Sequence, residues 1–227
     1  MIEFDFDSRK CTPHNHHLRD SEQMDVVERK HLMLRCLEVF CLSCRMCPLG
    51  RQMLQERDQK FDPHVFSNMH TDATIMVIGQ NPGFNECQVG TPFIGDAGKN
   101  FDKELVRGGL KRKDFYITNI CKCKTPNNEF DSRHDKYKTL CSAILRLEMQ
   151  ILHPRLIVTL GAHAFGFFVK DMAMSDCLGD ILWTDYGPIY PIYHPSPMNL
   201  SDKDRATRFQ RDMALLCKLV RKFKSSS

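Results

Sequence analysis

The sequence predicts an α/β protein, a three-layer α/β/α sandwich around a mainly parallel, central four-stranded sheet. Short apolar segments of strand length alternate along the chain with longer amphipathic segments. This alternation is typical of parallel sheets that carry helices on both faces. The 227 residues are 42% hydrophobic, which is enough for one complete core and does not require a second domain.

The four strands are predicted from apolar runs bounded by turn residues. They cover residues 74–79 (TIMVIG), 114–119 (DFYITN), 155–161 (RLIVTLG) and, less regularly, 187–195 (GPIYPIYHP). Helices are predicted where apolar residues recur at spacings of three and four. They are expected at residues 20–40, 97–109 and 133–153, and in a last helix that carries Phe209, Met213, Leu216, Val220 and Phe223. Asp96 is the expected cap of the second helix, and Gly108 and Gly109 are its expected end.

We expect residues 1–20 to be a flexible polar tail and residues 21–227 to be a single domain. The tail holds Cys11, His14, His16 and His17, for which metal binding and a mobile histidine-bearing tail are both open. The first ten residues, MIEFDFDSRK, are acidic and mixed, so we expect no secretory signal. The sequence has no run of about 18 apolar residues, so it predicts no membrane span.

The charge pattern is compatible with a nucleic-acid partner without requiring one. The net charge is +4, a value that many soluble proteins share. No His-Glu-x-x-His motif or carboxylate cluster in the sequence supports a metal-dependent hydrolase. Basic residues that are candidates for phosphate contacts, or simply solvated, are Lys111, Arg112, Lys113, Arg205, Arg208 and Arg211.

Polar side chains follow the predicted strands at the points where these end. In a parallel sheet the ligand lies beyond the carboxyl ends of the strands. The residues there are Gln80 and Asn81, then Asn119, Gly161 and His194. An Asn amide can pair with a carbonyl and an N–H on one ring edge, a neutral His can donate to a second carbonyl, and an aromatic ring can stack on the face. Together these groups predict a site for a pyrimidine, although each one taken alone is also typical of a turn or a core position.

Eleven cysteines are many for a chain in which no disulfide scaffold is indicated. Cys44 and Cys47 form a Cys-x-x-Cys pair, Cys123 follows the second strand, and Cys141 lies 18 residues later. Two near and two distant cysteines predict a four-thiolate metal site, and this spacing leaves zinc and iron–sulfur both open. Cys41 and Cys44 are equally well spaced as a pair.

Several motifs resemble those of the uracil-DNA glycosylase superfamily, and most closely its iron–sulfur group, often called family four. That group carries Gly-Glu-Ala-Pro-Gly, a Glu three residues later, and Gly-x-Pro-Phe-Val-Gly-x-Ala-Gly. This chain has GQNPG, Glu86 and GTPFIGDAG. The group's Tyr-Ile-Thr-Asn and Lys-Cys-Arg-Pro-Pro correspond to YITNICKCKTP, and its His-Pro motif corresponds to HPSPMNL. The similarity runs from about Cys44 to His194 and on through the last helix.

The resemblance implies a glycosylase that flips uracil out of single- or double-stranded DNA and hydrolyses its N-glycosidic bond. It assigns the uracil edge to Asn119, the ring face to Phe93 and the uracil oxygen to His194. It also implies backbone contacts from Gln80 and a water positioned by Asn81. We expect a monomer that does not bind membranes. A glycosylase fold that has lost its chemistry and binds DNA or a replication partner, and a glycosylase for another deaminated base, are the alternatives.

The HPSPMNL segment holds two further candidates for DNA contacts. Met198 lies where related enzymes carry an apolar wedge, which would fill the gap left by the flipped base. A loop methionine that packs on the core is an equal alternative for Met198. Ser196 could hydrogen-bond a phosphate.

The resemblance favours a 4Fe-4S cluster, with zinc as the alternative, bound by Cys44, Cys47, Cys123 and Cys141. We prefer Cys44 and Cys47 to Cys41 because Pro-Leu follows Cys47, as in the family. Its expected role is structural, and it implies an intracellular, reducing compartment such as the cytoplasm or the nucleus.

The chain departs from family four within GQNPG. Gln80 and Asn81 replace the usual Glu and Ala, and Asn at the second of these positions is typical of other branches, where it handles the water. One such branch has an Asp there and a Tyr at the position of Gly83, where the Tyr blocks the methyl group of thymine. We therefore expect a slower enzyme than one with Asp, or an altered base preference.

Overall fold

The computed structural model describes residues 25–55, 57–58, 60–125 and 135–225. The predicted tail, with Cys11 and its three histidines, lies outside these residues. The described helices, in chain order, are α1 (Val26–Leu42), α2 (Pro48–Gln55), α3 (Phe84–Val89), α4 (Asp96–Arg107), α5 (Asp135–Leu152), α6 (Ala162–Phe168), α7 (Pro197–Leu200) and α8 (Lys203–Ser225). The strands are β1 (Ile75–Gly79), β2 (Tyr116–Asn119), β3 (Leu156–Leu160), β4 (Leu182–Thr184) and β5 (Gly187–Ile192).

The predicted α/β class is confirmed, and the strand count changes from four to five. The sheet order is β2-β1-β3-β5-β4. The first four strands in that order are parallel, and β4 pairs antiparallel with β5 at one edge. The strand missed from the sequence, β4, has three residues, and its Trp183 is 82% exposed. Its apolar run, Ile181 to Trp183, is shorter than the roughly four to eight residues from which a strand is predicted.

Two hydrophobic cores lie on opposite faces of the sheet, because successive residues of a strand point to opposite sides. Val77 of β1 packs in one core with Phe101 of α4 and Phe209 of α8. Its neighbour Ile78 packs in the other core, with Leu145 of α5 and with residues of α1. The helices therefore cover both faces, which gives the three layers.

Local sequence explains how two of the helices begin. Asp25 caps α1: its Oδ1 accepts from the backbone N–H groups of Val27 and Glu28, at 2.7 and 2.8 Å. Asp96, expected as the cap of α4, is instead the first helical residue, and Gly95 occupies the cap position. An acidic residue in the first turn still interacts favourably with the helix dipole. None of the described helices combines the length and apolar composition that crossing a membrane requires.

The chain reverses its direction of strand addition at β1, since β2 lies on one side of β1 and β3 on the other. In open parallel sheets, ligands bind beyond the carboxyl ends of the strands at such a switch point. Residues just after β1 and at the end of β2 therefore meet at one edge, where Gly79 is in register with Asn119.

Candidate active site

A cleft of about 880 Å³ opens at this edge of the sheet, within the usual size range of ligand sites. Its walls come from the segments that follow β1, β2, β3 and β5. It brings together the seven residues predicted for base, water and rim contacts, namely Gln80, Asn81, Phe93, Asn119, His194, Ser196 and Met198. Of the basic candidates for phosphate contacts, Arg205 alone belongs to its described lining.

Asn119 places an unsatisfied amide in the wall of the cleft. Its side chain is 1% exposed, yet neither Oδ1 nor Nδ2 has a hydrogen-bond partner among the described residues. A Cβ at Gly79 would lie 2.6 Å from Asn119 Oδ1 and 2.3 Å from Phe93 Cζ. Glycine at position 79 therefore lets the amide and the ring approach each other. A buried amide without a partner is costly, so this geometry fits a ligand that supplies the missing hydrogen bonds.

The Phe93 ring is held at the cleft by a constrained backbone. The backbone of Phe93 has φ +56°, a conformation that residues other than glycine rarely adopt. Arg112 stabilises this loop: Nη1 donates to Phe93 O and Nη2 to Pro92 O, each at 2.6 Å, while Asp102 pairs with the same guanidinium. A Cβ at Gly98 would lie 1.7 Å from Phe93 O, so the start of α4 must also carry a glycine.

His194 follows β5 and faces the ring of Phe93, with the two ring centroids 6.0 Å apart. Burial, together with the nearby His163, lowers the pKa of His194 to about 4, so the imidazole is neutral at neutral pH. Gly161, at φ +87°, makes room for it, because a Cβ there would lie 2.9 Å from His194 Cβ. A neutral imidazole in this place can donate one N–H to a ligand oxygen.

Asn81 is oriented by two hydrogen bonds from its amide nitrogen. Nδ2 donates to Pro82 O at 3.0 Å and to the hydroxyl of the buried Thr125 at 3.2 Å. The carbonyl oxygen of the amide is then the group that can accept from a water. Gln80 contributes through its backbone, where its carbonyl accepts from Cys121 N at 3.0 Å.

Glu86 joins the two loops that carry Asn81 and Phe93. Its buried carboxylate accepts from the backbone N–H groups of Gly83, Ile94 and Gly95, at 3.0, 2.8 and 2.7 Å. A Cβ at Gly83 would lie 2.6 Å from Glu86 Oε2. A side chain at position 83 would therefore have to displace the Glu86 carboxylate from the position in which it accepts from Gly83 N.

The segment after His194 forms the outer rim of the cleft. Ser196 caps α7, and its Oγ accepts from Asn199 N at 3.4 Å. Asn100 Nδ2 donates to Pro195 O at 2.9 Å and ties the rim to α4. Met198 is 80% exposed, so it does not pack on the core and presents an apolar side chain to solvent beside the cleft.

A separate, small cavity lies beside Lys122 and Cys123, just after β2, and is lined by thiols. They comprise all four predicted ligands and the alternative, in chain order Cys41, Cys44, Cys47, Cys123 and Cys141. Cys47 Sγ accepts from Gly50 N and Cys141 Sγ from Lys122 N, each at 3.3 Å. A hydrogen bond from Cys121 lowers the pKa of Cys141, whereas burial raises the pKa of Cys44, Cys47 and Cys123. Within the described part of the chain, no three His, Cys, Asp or Glu side chains form a compact single-ion site.

The imidazole of His64 is fully buried against the same cavity. Its Nδ1 lies 3.5 Å from Asp62 Oδ1, which is long for a hydrogen bond, and neither ring nitrogen has a hydrogen-bond partner among the described residues. His64 pairs with Cys123 in an antiparallel bridge. A thiol-rich cavity with an unsatisfied imidazole in its wall fits a bound inorganic group.

Some residues that hold the site were not identified from the sequence. Arg112, a candidate for phosphate binding, is instead used inside the protein to hold Phe93, and Arg208 pairs with Asp212. Lys122 is buried with Glu148, and its ammonium donates to Asn119 O at 2.9 Å. A lysine between two cysteines gives no sign in the sequence that its side chain points inward.

The comparisons with known proteins agree with this geometry. The profile of the Uracil DNA glycosylase superfamily matches residues 66–216. Similar proteins named Type-4 uracil-DNA glycosylase come from Thermotoga maritima, Saccharolobus solfataricus and Sulfurisphaera tokodaii. The identities are 35% over 157 residues, 37% over 139 and 36% over 167. These alignments cover 68%, 56% and 68% of this chain, and 77%, 62% and 70% of the respective relatives.

The fold together with the family match defines a DNA glycosylase of the α/β class. The chain belongs to the uracil-DNA glycosylase superfamily, and within it to family four.

Proposed function

We propose that this protein is a uracil-DNA glycosylase, which removes uracil from DNA by hydrolysing the N-glycosidic bond. The observation that carries the proposal is the buried amide of Asn119, which has no hydrogen-bond partner among the described residues and lines a cleft of nucleobase size. Its oxygen and nitrogen match an adjacent N–H and carbonyl on the edge of uracil. Because that edge is paired in duplex DNA, the base must be flipped out to reach it.

The cleft holds the flipped base by its edge and by one face. Asn119 pairs with the edge, and the Phe93 ring stacks on the face. Gly79, between them, has no side chain to obstruct the base. The exposed Met198 fills the gap in the base stack, and the Ser196 hydroxyl donates to a flanking phosphate. Gln80 lines the pocket and contacts the base through its backbone.

Cleavage breaks the bond between the sugar C1′ and N1 of uracil, and uracil leaves as an anion. His194, neutral because of its low pKa, donates a hydrogen bond to the uracil oxygen on which this charge develops. Asn81 accepts from a water, which adds its hydroxyl to C1′ while its proton passes to the leaving base or to solvent. Fixed donors of this kind act by stabilising charge in the transition state, and removing one costs about 100-fold or more in rate.

An amide is a weaker base than a carboxylate, so Asn81 orients the water without deprotonating it. We therefore propose a slower chemical step than in enzymes with Asp at this position. Because Gly83 presents no side chain, discrimination against thymine comes from the fit of the remaining walls.

We propose that Cys44, Cys47, Cys123 and Cys141 bind a 4Fe-4S cluster, as is general in family four. The donor set fits, because all four thiols line one cavity with the buried His64. The cluster would join the loop between α1 and α2 to the segment after Asn119, which is a structural role. Iron and sulfide analysis of protein purified without oxygen tests it, and zinc in their place would overturn it.

The substrate is DNA that contains uracil, and we propose that the protein acts as a monomer in a reducing intracellular compartment. None of the ten described cysteines forms a disulfide, which suits such a compartment. Light scattering in solution tests the monomer.

The function is tested by incubating the protein with a uracil-containing single strand and then cleaving abasic sites with alkali. We expect strand cleavage with the wild-type protein and cleavage slower by about 100-fold or more with Asn119→Ala, while a thymine-containing strand stays intact. Binding without any abasic product would favour a DNA-binding module. Activity confined to hypoxanthine or another deaminated base would reassign the lesion.

A further inference from the structure

A second cleft, here called the side cleft, opens next to the base-binding cleft. It has a volume of about 980 Å³ and is bounded by α5, α6 and residues 169–175. The two clefts share five lining residues, Ala162, His163, Met174, Tyr193 and Arg205. The two clefts are therefore continuous, and a polymer bound in the base-binding cleft can extend into the side cleft.

The side cleft is cationic. Arg146, Lys170 and Arg205 line it, and no Asp or Glu belongs to its described lining. The carboxylates nearest to Lys170 in sequence, those of Asp171 and Asp176, are exposed and lie outside the lining. The base-binding cleft differs, because its lining includes Glu86 and Asp96. A concave surface with positive charge alone attracts a polyanion.

Aromatic rings accompany these charges. The Arg205 guanidinium lies 6.0 Å from the centroid of Tyr193, at the border between the two clefts. The Arg146 guanidinium lies 5.9 Å from the centroid of Phe167. A positively charged groove that alternates with aromatic faces is the general pattern of surfaces that bind single-stranded nucleic acid, in which cations contact phosphates and bases stack on rings.

We propose that the side cleft binds the single-stranded DNA that flanks uracil on one side. This inference rests on the proposed function for the identity of the polymer. Lys170 and Arg146 contact backbone phosphates, and the flank leaves the base-binding cleft past Tyr193. In a duplex the bases are paired and stacked on one another, so they are not available to stack on the aromatic rings of the cleft. The side cleft therefore gives the enzyme a preference for unpaired DNA.

The test compares the full-length wild-type protein with the single variants Lys170→Ala and Arg146→Gln. Lys218→Ala is the matched control, because Lys218 is an exposed lysine of α8 that does not line the side cleft. Fluorescence anisotropy measures binding of a uracil-free single strand at several salt concentrations. Each cleft variant should bind more weakly than wild type, and the slope of log affinity against log salt should fall by about 0.7 for each lost phosphate contact. The control should keep the wild-type slope.

Excision kinetics on three single strands then locate the flank: one extended on both sides of uracil, one truncated on the 5′ side and one truncated on the 3′ side. We expect Lys170→Ala to raise KM on the full strand with kcat unchanged. One truncation should remove the difference from wild type, and the other should preserve it. Variants that bind like the control, equal losses on both truncated strands, or an equal loss on duplex DNA would each overturn the proposal. If the wild-type protein excised no uracil while Lys170→Ala still weakened strand binding, the proposed function would fail and the side cleft would stand.

Discussion

Burial acts in opposite ways on the two polar side chains that face the base. Asn119 cannot change its charge, so burial leaves its amide in need of a partner. His194 can change its charge, so burial removes the proton and leaves a neutral donor. Both consequences can be measured in the absence of substrate.

Asn119→Ala should separate activity from stability. The Asn119 amide makes no hydrogen bond within the described structure, so its removal should leave the melting temperature unchanged or slightly raised, while excision falls by about 100-fold or more. Asn68→Ala is the matched control, because Asn68 donates to Phe115 O at 2.9 Å and accepts from Ile117 N at 2.8 Å. It should cost on the order of 1–3 kcal/mol of stability with little effect on kcat. A large loss of stability in Asn119→Ala would contradict the assignment of its amide to a ligand.

The pH dependence of stability should carry the signature of His194. Its folded pKa of about 4 lies below the unfolded value of roughly 6.5, so the unfolded state binds more protons between these two pH values. His194 therefore makes its full contribution to the free energy of unfolding above the unfolded pKa. This contribution is lost as the pH falls towards the folded pKa, and the total loss is on the order of 3 kcal/mol. Urea unfolding at pH 7 and pH 4 should show this loss in wild type, and a smaller loss in His194→Gln. Equal losses of stability in the two proteins would show that His194 is not the group responsible.

At the scale of elements, the cleft depends on contacts that join loops from different strands. Glu86 ties the loop after β1 to the start of α4, and Lys122 ties the end of β2 to α5. Neither residue has to touch the base to affect catalysis, since both hold elements that do.

Glu86→Gln should weaken both loops. The amide nitrogen of glutamine cannot accept a hydrogen bond, so one of the three backbone N–H groups loses its acceptor. We expect a loss on the order of 2 kcal/mol in the free energy of unfolding and a lower kcat, because Asn81 and Phe93 become less well positioned. Glu28→Gln, on the exposed first turn of α1, serves as the control and should cost less than about 1 kcal/mol. An unchanged kcat in Glu86→Gln would argue against a positioning role.

Lys122 and Glu148 form an ion pair that is buried on both sides, at 1% and 0% exposure. Tyr116 and Thr118 also donate to Glu148, each at 2.9 Å. Lys122→Met leaves a buried carboxylate without its cation and should cost about 3–5 kcal/mol. The double variant Lys122→Met/Glu148→Gln should recover much of this loss, because the neutral amide keeps an oxygen for Tyr116 and Thr118. A double-mutant cycle by urea unfolding measures the interaction free energy between Lys122 and Glu148. Additive effects of the two substitutions would show that the two side chains are not coupled.

At the scale of the whole molecule, the thiol cavity connects parts of the chain that the sheet does not. Cys44 and Cys47 lie beside α2, Cys123 follows β2, and Cys141 is on α5. A group bound there cross-links an N-terminal segment to the end of the strand that carries Asn119. Such a link stabilises the fold chiefly when it closes a long loop.

Cys123→Ser should therefore lose iron and lower the melting temperature together. Cys177→Ala is the control, because Cys177 is equally buried but belongs to a separate hydrophobic cluster. It should keep the wild-type iron content. Iron is measured on protein purified without oxygen, and full iron retention in Cys123→Ser would remove Cys123 from the ligand set.

The sequence was most informative where a local pattern has one physical meaning. Buried strands appear as apolar runs, so the sequence locates the starts of β1, β2, β3 and β5 to within two residues and their ends to within three. Because the carboxyl ends of parallel strands share an edge, Asn119 and His194 could be placed near each other although 75 positions separate them. The edge strand β4 could not be predicted, since its pairing with β5 depends on a partner that no property of its three residues specifies.

The sequence by itself determined the α/β class, the two-sided helical cover and the family, because periodicity and ordered motifs are properties of the chain. The tertiary structure alone decided which polar groups are satisfied. Arg112 binds the Phe93 loop, Lys122 turns inward to Glu148, and the side-chain amide of Asn119 has no hydrogen-bond partner within the described residues. Hydrogen bonds and burial depend on which distant residues meet, and the spacing of residues along a chain does not contain that information.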